Sequence, residues 1–189
     1  MSDKLKETQN PEAVSEQDAT IASSGFLSRR GLLAEFEFQT LQPTNTSGAT
    51  SIPLTTTPTT IACLTGDDAL NILDVCSRVW LTATVGWQAI NNADGEEKVD
   101  ILFKIFRDAP VTGSLIFSCR QSADADEDDL ATTTFTHVDL PLLPIDPCDK
   151  HCHKKVSYFL TAELPLAGSQ ANVIGPITFT GAQILPNPK

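Results

Sequence analysis

Eight consecutive residues, Asp146-Pro147-Cys148-Asp149-Lys150-His151-Cys152-His153, hold two of the chain's three histidines and two of its five cysteines. Thiolate sulfur and imidazole nitrogen are the donors that Zn(II) and Cu(I) prefer. A structural zinc site normally takes two such pairs from separate segments. Here Cys148, His151, Cys152 and His153 lie within six residues, and no second Cys/His pair elsewhere completes a knuckle. Three readings of the cluster stay open: a metal site, a disulfide (Cys148 to Cys152, or between subunits) and a plain polar loop. We assign no metal to it.

A second group of candidate ligands is the acidic run from Asp124 to Asp129, with Asp124, Asp126, Glu127, Asp128 and Asp129. Carboxylates at alternating positions suit calcium. The run lacks the glycine at the sixth position and the glutamate at the twelfth that an EF-hand loop needs, so a solvated turn is expected. No G-x-S-x-G, H-E-x-x-H, G-x-G-x-x-G or Walker loop occurs in the chain. His137 sits in a Thr-rich stretch and is expected to face solvent or a sheet neighbour. We nominate no catalytic residue and no cofactor, and expect a protein that is not an enzyme.

Composition narrows the partners. The 189 residues carry a formal net charge of -11, and the only adjacent cationic pairs are Arg29-Arg30 and Lys154-Lys155. Nucleic-acid binding depends on basic side chains that displace counterions, so no nucleic acid is expected. The polar opening M-S-D-K-L-K-E-T has no apolar stretch of a secretory signal, and no run approaches the roughly 18 apolar residues of a membrane helix. Synthesis in a cytoplasm without a membrane partner is the expectation. Asn45-Thr46-Ser47 matches the glycosylation sequon, a pattern common by chance. Cys63, Cys76 and Cys119 lie in apolar segments, where either buried free thiols or some disulfide pairing is expected.

The elements that must position any site are strands. From Arg78 to Asp108 the side chains alternate with period two about a turn, which reads as a long β-hairpin. Val79, Leu81, Ala83, Val85, Trp87 and Ala89 share one face against Thr82, Thr84 and Gln88. Asn91, Asn92, Asp94 and Gly95 supply the reversal. Val99, Ile101, Phe103 and Ile105 share a face of the second half, while Leu102 and Phe106 add apolar surface opposite. A strand apolar on both faces needs covering twice, by its own chain or by another subunit. Ala34, Phe36 and Phe38 alternate with Glu35, Glu37 and Gln39 in a half-buried strand. Further strands are expected at Ile61–Leu64, Ile72–Cys76, Leu115–Cys119, Thr132–Val138, Val156–Glu163 and Ile177–Ala182, with a kink at Gly175-Pro176. No segment keeps helical spacing over three turns. The chain is expected to be an all-β sandwich, of which the jelly roll is one form.

Residues 1 to 30 read as a flexible N-terminal arm and 31 to 189 as the jelly-roll domain, because the first 24 residues are almost wholly polar. Phe26, Leu27, Leu32 and Leu33 then supply abrupt apolar surface. They either open the first strand and join the domain's own core or dock on a neighbouring subunit as an added strand or plug.

Three segments carry a family resemblance: Val99-Asp100-Ile101-Leu102-Phe103-Lys104-Ile105-Phe106-Arg107-Asp108, Tyr158-Phe159-Leu160-Thr161-Ala162-Glu163 and Val173-Ile174-Gly175-Pro176-Ile177-Thr178-Phe179-Thr180-Gly181-Ala182. In order and spacing, from about Cys63 to Leu185, the chain resembles the exosporium protein C-like group of Bacillus-type endospore surface proteins, whose jelly roll is similar to tumour necrosis factor and complement heads. The resemblance implies a homotrimer packed about a three-fold axis, with Leu102 and Phe106 at the trimer interface. It also implies a place on the spore surface, in exosporium or an appendage fibre, among other spore-surface proteins. Some such jelly rolls join through an N-terminal peptide, a role that suits the arm ending at Phe26-Leu27. Two functions follow as expectations. One is a self-assembling structural subunit. The other is a binding module that recognises a sugar or protein through its loops.

Overall fold

The computed structural model describes residues 32–41, 51–74, 76–91, 98–125, 129–141 and 154–186. Phe26 and Leu27, the Cys148 to His153 cluster, Asp126 to Asp128 and the reversal at Asn92 to Gly95 lie outside the described residues. Eleven strands are seen among the described residues: β1 (Leu33–Leu41), β2 (Ile52–Pro53), β3 (Thr59–Leu64), β4 (Leu70–Ile72), β5 (Arg78–Ile90), β6 (Lys98–Arg107), β7 (Ser114–Asp124), β8 (Leu130–Asp139), β9 (Lys154–Val156), β10 (Tyr158–Glu163) and β11 (Gln170–Ile184).

They form two main antiparallel sheets, ordered β1-β11-β5-β8 and β3-β10-β6-β7, with β2 added to β11 and β4 paired with β9. The pairing is nested. β6 pairs with β7, β5 with β8, β3 with β10 and β1 with β11, all antiparallel. The chain is thus one long hairpin about the β6–β7 turn, rolled so that successive pairs fall alternately in one sheet and the other. That winding is the jelly roll, and the fold is all-β as expected.

Two sequence expectations are corrected. Arg78 to Asp108 is not a hairpin, because β5 pairs with β11 and β8 while β6 pairs with β10 and β7 in the other sheet. Alternation reports which face of a strand is buried and says nothing of its hydrogen-bonded neighbour. The short strand is Leu70–Ile72 rather than Ile72 to Cys76; beyond it Leu73 is exposed, and Cys76 lies exposed in a turn. Among the described residues Cys63, Cys76 and Cys119 are unpaired.

The core lies between the sheets. Leu81, Val85 and Trp87 of β5 with Phe179 of β11 meet Ile101, Phe103 and Ile105 of β6 with Tyr158 and Leu160 of β10. Trp87 is fully buried, and its indole Nε1 donates to Thr133 Oγ1 at 3.0 Å, so the polar end of the ring is satisfied. Phe135 and His137 of β8 pack on Phe117 of β7 with ring centroids 5.0 and 5.4 Å away, closing the open side of the sandwich. His137 therefore faces a neighbour in the sandwich. Gly86 is required where β5 passes the β11 bulge, since a β-carbon there would collide with the Gly175 carbonyl oxygen.

A buried polar clamp joins the sheets. At the end of β8, Asp139 accepts both oxygens' worth of hydrogen bonds from Arg107 Nη1 of β6, each at 2.9 Å, and a third from Tyr158 Oη of β10, also at 2.9 Å. Burial first, then the Asp139 charge, push the Tyr158 phenol far above its ordinary value, which keeps it protonated and donating. Removing one partner of such a buried pair strands the other. Asp139→Ala is expected to cost about 3 kcal/mol or more, read as a lower urea midpoint. An unchanged midpoint would show that the sheets do not depend on the clamp.

Candidate functional site

β1 is half-buried, as its alternation implies, with its polar face inward. Phe36 and Phe38 are 53% and 58% exposed, while Glu35, Glu37 and Gln39 are half-buried. The cause is a pair of backbone donors: Glu35 Oε2 accepts from the Asn71 N–H at 2.6 Å, and Gln39 Oε1 accepts from the Cys63 N–H at 2.8 Å. β3 is the edge strand of its sheet and Asn71 lies in β4, so these are amides that the main ladders leave over. The polar face of β1 turns inward to satisfy them. Its aromatic face is thereby turned out.

The register places that face among its neighbours. Phe36, Ala182, Trp80 and Val138 form one row across β1, β11, β5 and β8; Phe38, Thr180, Thr82 and Thr136 form the next; Thr40, Thr178, Thr84 and Thr134 form a third. Thr84 and Thr134 share a hydrogen bond of 3.1 Å between hydroxyls. Trp80 is 52% exposed and Val138 likewise 52%. Leu33, Phe36, Trp80, Ala182 and Ile184 line a groove of about 370 Å³ at the aromatic end. In the registered rows of this face Arg78 is the only charged residue, in a chain of net charge -11.

The outer face of the other sheet is charged. Lys104 meets Glu163 at 2.6 Å and Arg120 meets Asp100 at 3.4 Å. Leu102 lies there, half-buried opposite Glu163 and Arg120, and Phe106, 6% exposed within the single chain, lies opposite Phe159 and Leu115. Phe106 has little surface left to offer a neighbour. Of the docking residues expected from sequence, Leu32 is 51% exposed and Leu33 54%, with Leu33 at the groove; Phe26 and Leu27 lie outside the described residues.

Sequence reasoning missed the rest of the face. The alternation of Phe36 and Phe38 with Glu35, Glu37 and Gln39 marks a half-buried strand without saying which face is inner, and the phase of Trp80 in β5 sets it with Thr82 and Thr84. That phase was the available signal. No group of three or more His, Cys, Asp or Glu is placed to hold a metal among the described residues. Burial pushes the Cys119 thiol up, which leaves little thiolate at neutral pH.

Glu35 carries a pH dependence. Its carboxyl is raised above the ordinary 4.5, chiefly by burial, with the Asn71 N–H lowering it and Glu37 raising it further. A folded-state value above the unfolded one means the folded chain holds the proton more tightly, so stability is lost as pH rises through the folded value. Glu35→Gln keeps an acceptor and removes this linkage. Its melting temperature is expected to gain on the native protein's as pH goes from about 4 to about 7. Glu35→Ala orphans the Asn71 amide and is expected to lose about 1–3 kcal/mol in urea at either pH. Identical pH profiles for native protein and Glu35→Gln would remove the carboxyl from the account.

No protein-family model matches the sequence, and no curated protein matches it. Among solved structures, the chain is similar to one described as "CBM4 structure and function", at 11% identity and a TM-score of 0.30, over 79% of this chain and 92% of that one. It is also similar to "Structure of infectious bursal disease virus Gx strain", at 10% identity and a TM-score of 0.23, over 82% of this chain and 42% of that one. The chain thus spans less than half of the second structure's length, and neither likeness carries an argument about function.

Proposed function

We propose that this protein is a structural subunit that assembles with copies of itself and is not an enzyme. The observation that carries this reading is the outer face of the β1-β11-β5-β8 sheet. It is broad, holds Phe36, Phe38 and Trp80 more than half exposed, and has Arg78 as its only charge in the registered rows. Large aromatic side chains left exposed on a nearly uncharged face mark contact surfaces. The resemblance of the β6, β10 and β11 segments to exosporium protein C-like proteins supports the same class, with the spore surface as the setting and a trimer as one assembly. In this proposal residues 1 to 30 are the connector. Leu32, the first described residue, is half-exposed, and its carbonyl accepts from the Leu185 amide at 2.9 Å beside the groove.

A ligand-binding reading has one observation in its favour. The groove volume of about 370 Å³ falls in the range of small-molecule sites. Its lining comes from the face of one sheet, so it is the end of a surface rather than a cavity, and the contact reading accounts for the whole face.

Sedimentation velocity and negative-stain electron microscopy of the full chain, beside a version lacking residues 1 to 30, test the proposal. The full chain is expected to assemble as concentration rises, and the shortened one to stop at small discrete oligomers. Monomers of the full chain at every concentration would end the structural-subunit reading. Equal assembly by both would remove the connector role.

A further inference from the structure

We propose that the outer face of the β1-β11-β5-β8 sheet is covered by the same face of a second copy, the two related by a two-fold axis. The inference rests on the self-association reading and names its first contact. Charge selects the occupant. Two chains of net charge -11 repel over most of their surface, whereas the registered rows of this face contain no carboxylate and one cation, Arg78. Face-to-face approach is therefore the docking mode with least like-charge cost.

Area agrees. Four strands about 4.8 Å apart, with about ten residues each rising about 3.3 Å, span roughly 19 by 33 Å. Side-chain relief carries that projected area of roughly 630 Å² toward the roughly 800 Å² that each partner gives to a stable interface. Composition agrees as well: aromatic residues with few charges are what interface centres contain. Two sheets stacked by their faces form a further sandwich layer, at the spacing of about 10 Å found within β-sandwiches. A two-fold contact closes on itself, so growth into a fibre or layer then uses other surfaces.

The two tryptophans make the contact readable in the native full-length protein. Trp87 is fully buried in the core and Trp80 is 52% exposed on the face. Emission and acrylamide quenching are followed against concentration, alongside sedimentation velocity. On dilution through the dimer-to-monomer transition, the emission is expected to shift to the red and one tryptophan to become quenchable. Thr82→Arg and Thr136→Arg each place a cation on the face twice per dimer and are expected to weaken dimerisation at least tenfold, with circular dichroism melts confirming that both variants fold. Ser118→Arg, on the exposed outer side of β7, is expected to leave dimerisation unchanged.

Oligomers in which Trp80 stays quenchable, or which both arginine variants still form with native affinity, overturn the face pairing while leaving self-association standing. A monomer at all concentrations overturns both. Trp80 already shielded in the monomer assigns the face to the chain's own residues before Leu32 and overturns the second copy.

Discussion

Two hydrogen bonds decide what this molecule shows to its surroundings. Glu35 and Gln39 accept the Asn71 and Cys63 amides, groups that the sheet ladders leave over at the border between β1 and the β3–β4 region. Each amide left without a partner would cost about 1–3 kcal/mol, and with Glu35 and Gln39 as their acceptors the polar side of β1 holds the inner position. Phe36 and Phe38 are exposed as the consequence, and they stack on each other with centroids 6.1 Å apart. Without that inversion the outer sheet would carry Trp80 and Val138 among threonines. With it, four strands share one nearly uncharged surface.

The remainder of the fold holds that surface in register. The nested hairpin seats β11 and β5 as the central strands of the sheet, paired along most of their length. Gly86 lets them pass at the bulge, and the Asp139 clamp to Arg107 and Tyr158 ties the end of β8 to the second sheet. Buried charge is well used here because every Asp139 oxygen has a donor. The rigidity comes from the satisfied network, not from the charge alone.

The two outer faces divide the work. One sheet bears ion pairs, a largely buried one of Lys104 with Glu163 and a more exposed one of Arg120 with Asp100. The other bears rows of threonine and aromatic residues. This asymmetry, rather than any cluster of reactive groups, is the feature on which a functional reading can be built.

By itself the sequence determined the class of fold and most of the strands. Period-two alternation in Val79 to Ala89, Val99 to Ile105 and Ile177 to Ala182 marks residues that do line the core, because a strand half-buried in a sandwich must alternate. The net charge of -11 was likewise legible. Tertiary structure alone decided which strands pair, since β5 and β6 carry the pattern of a hairpin yet lie in different sheets. It alone decided the facing of β1, where apolar preference would turn Phe36 and Phe38 inward but the amides of Asn71 and Cys63, distant in sequence, take Glu35 and Gln39 instead. The candidate face belongs to that second category. It is assembled from four strands spread between Leu33 and Ile184, and no local pattern can announce a surface whose rows exist only after the hairpin has rolled.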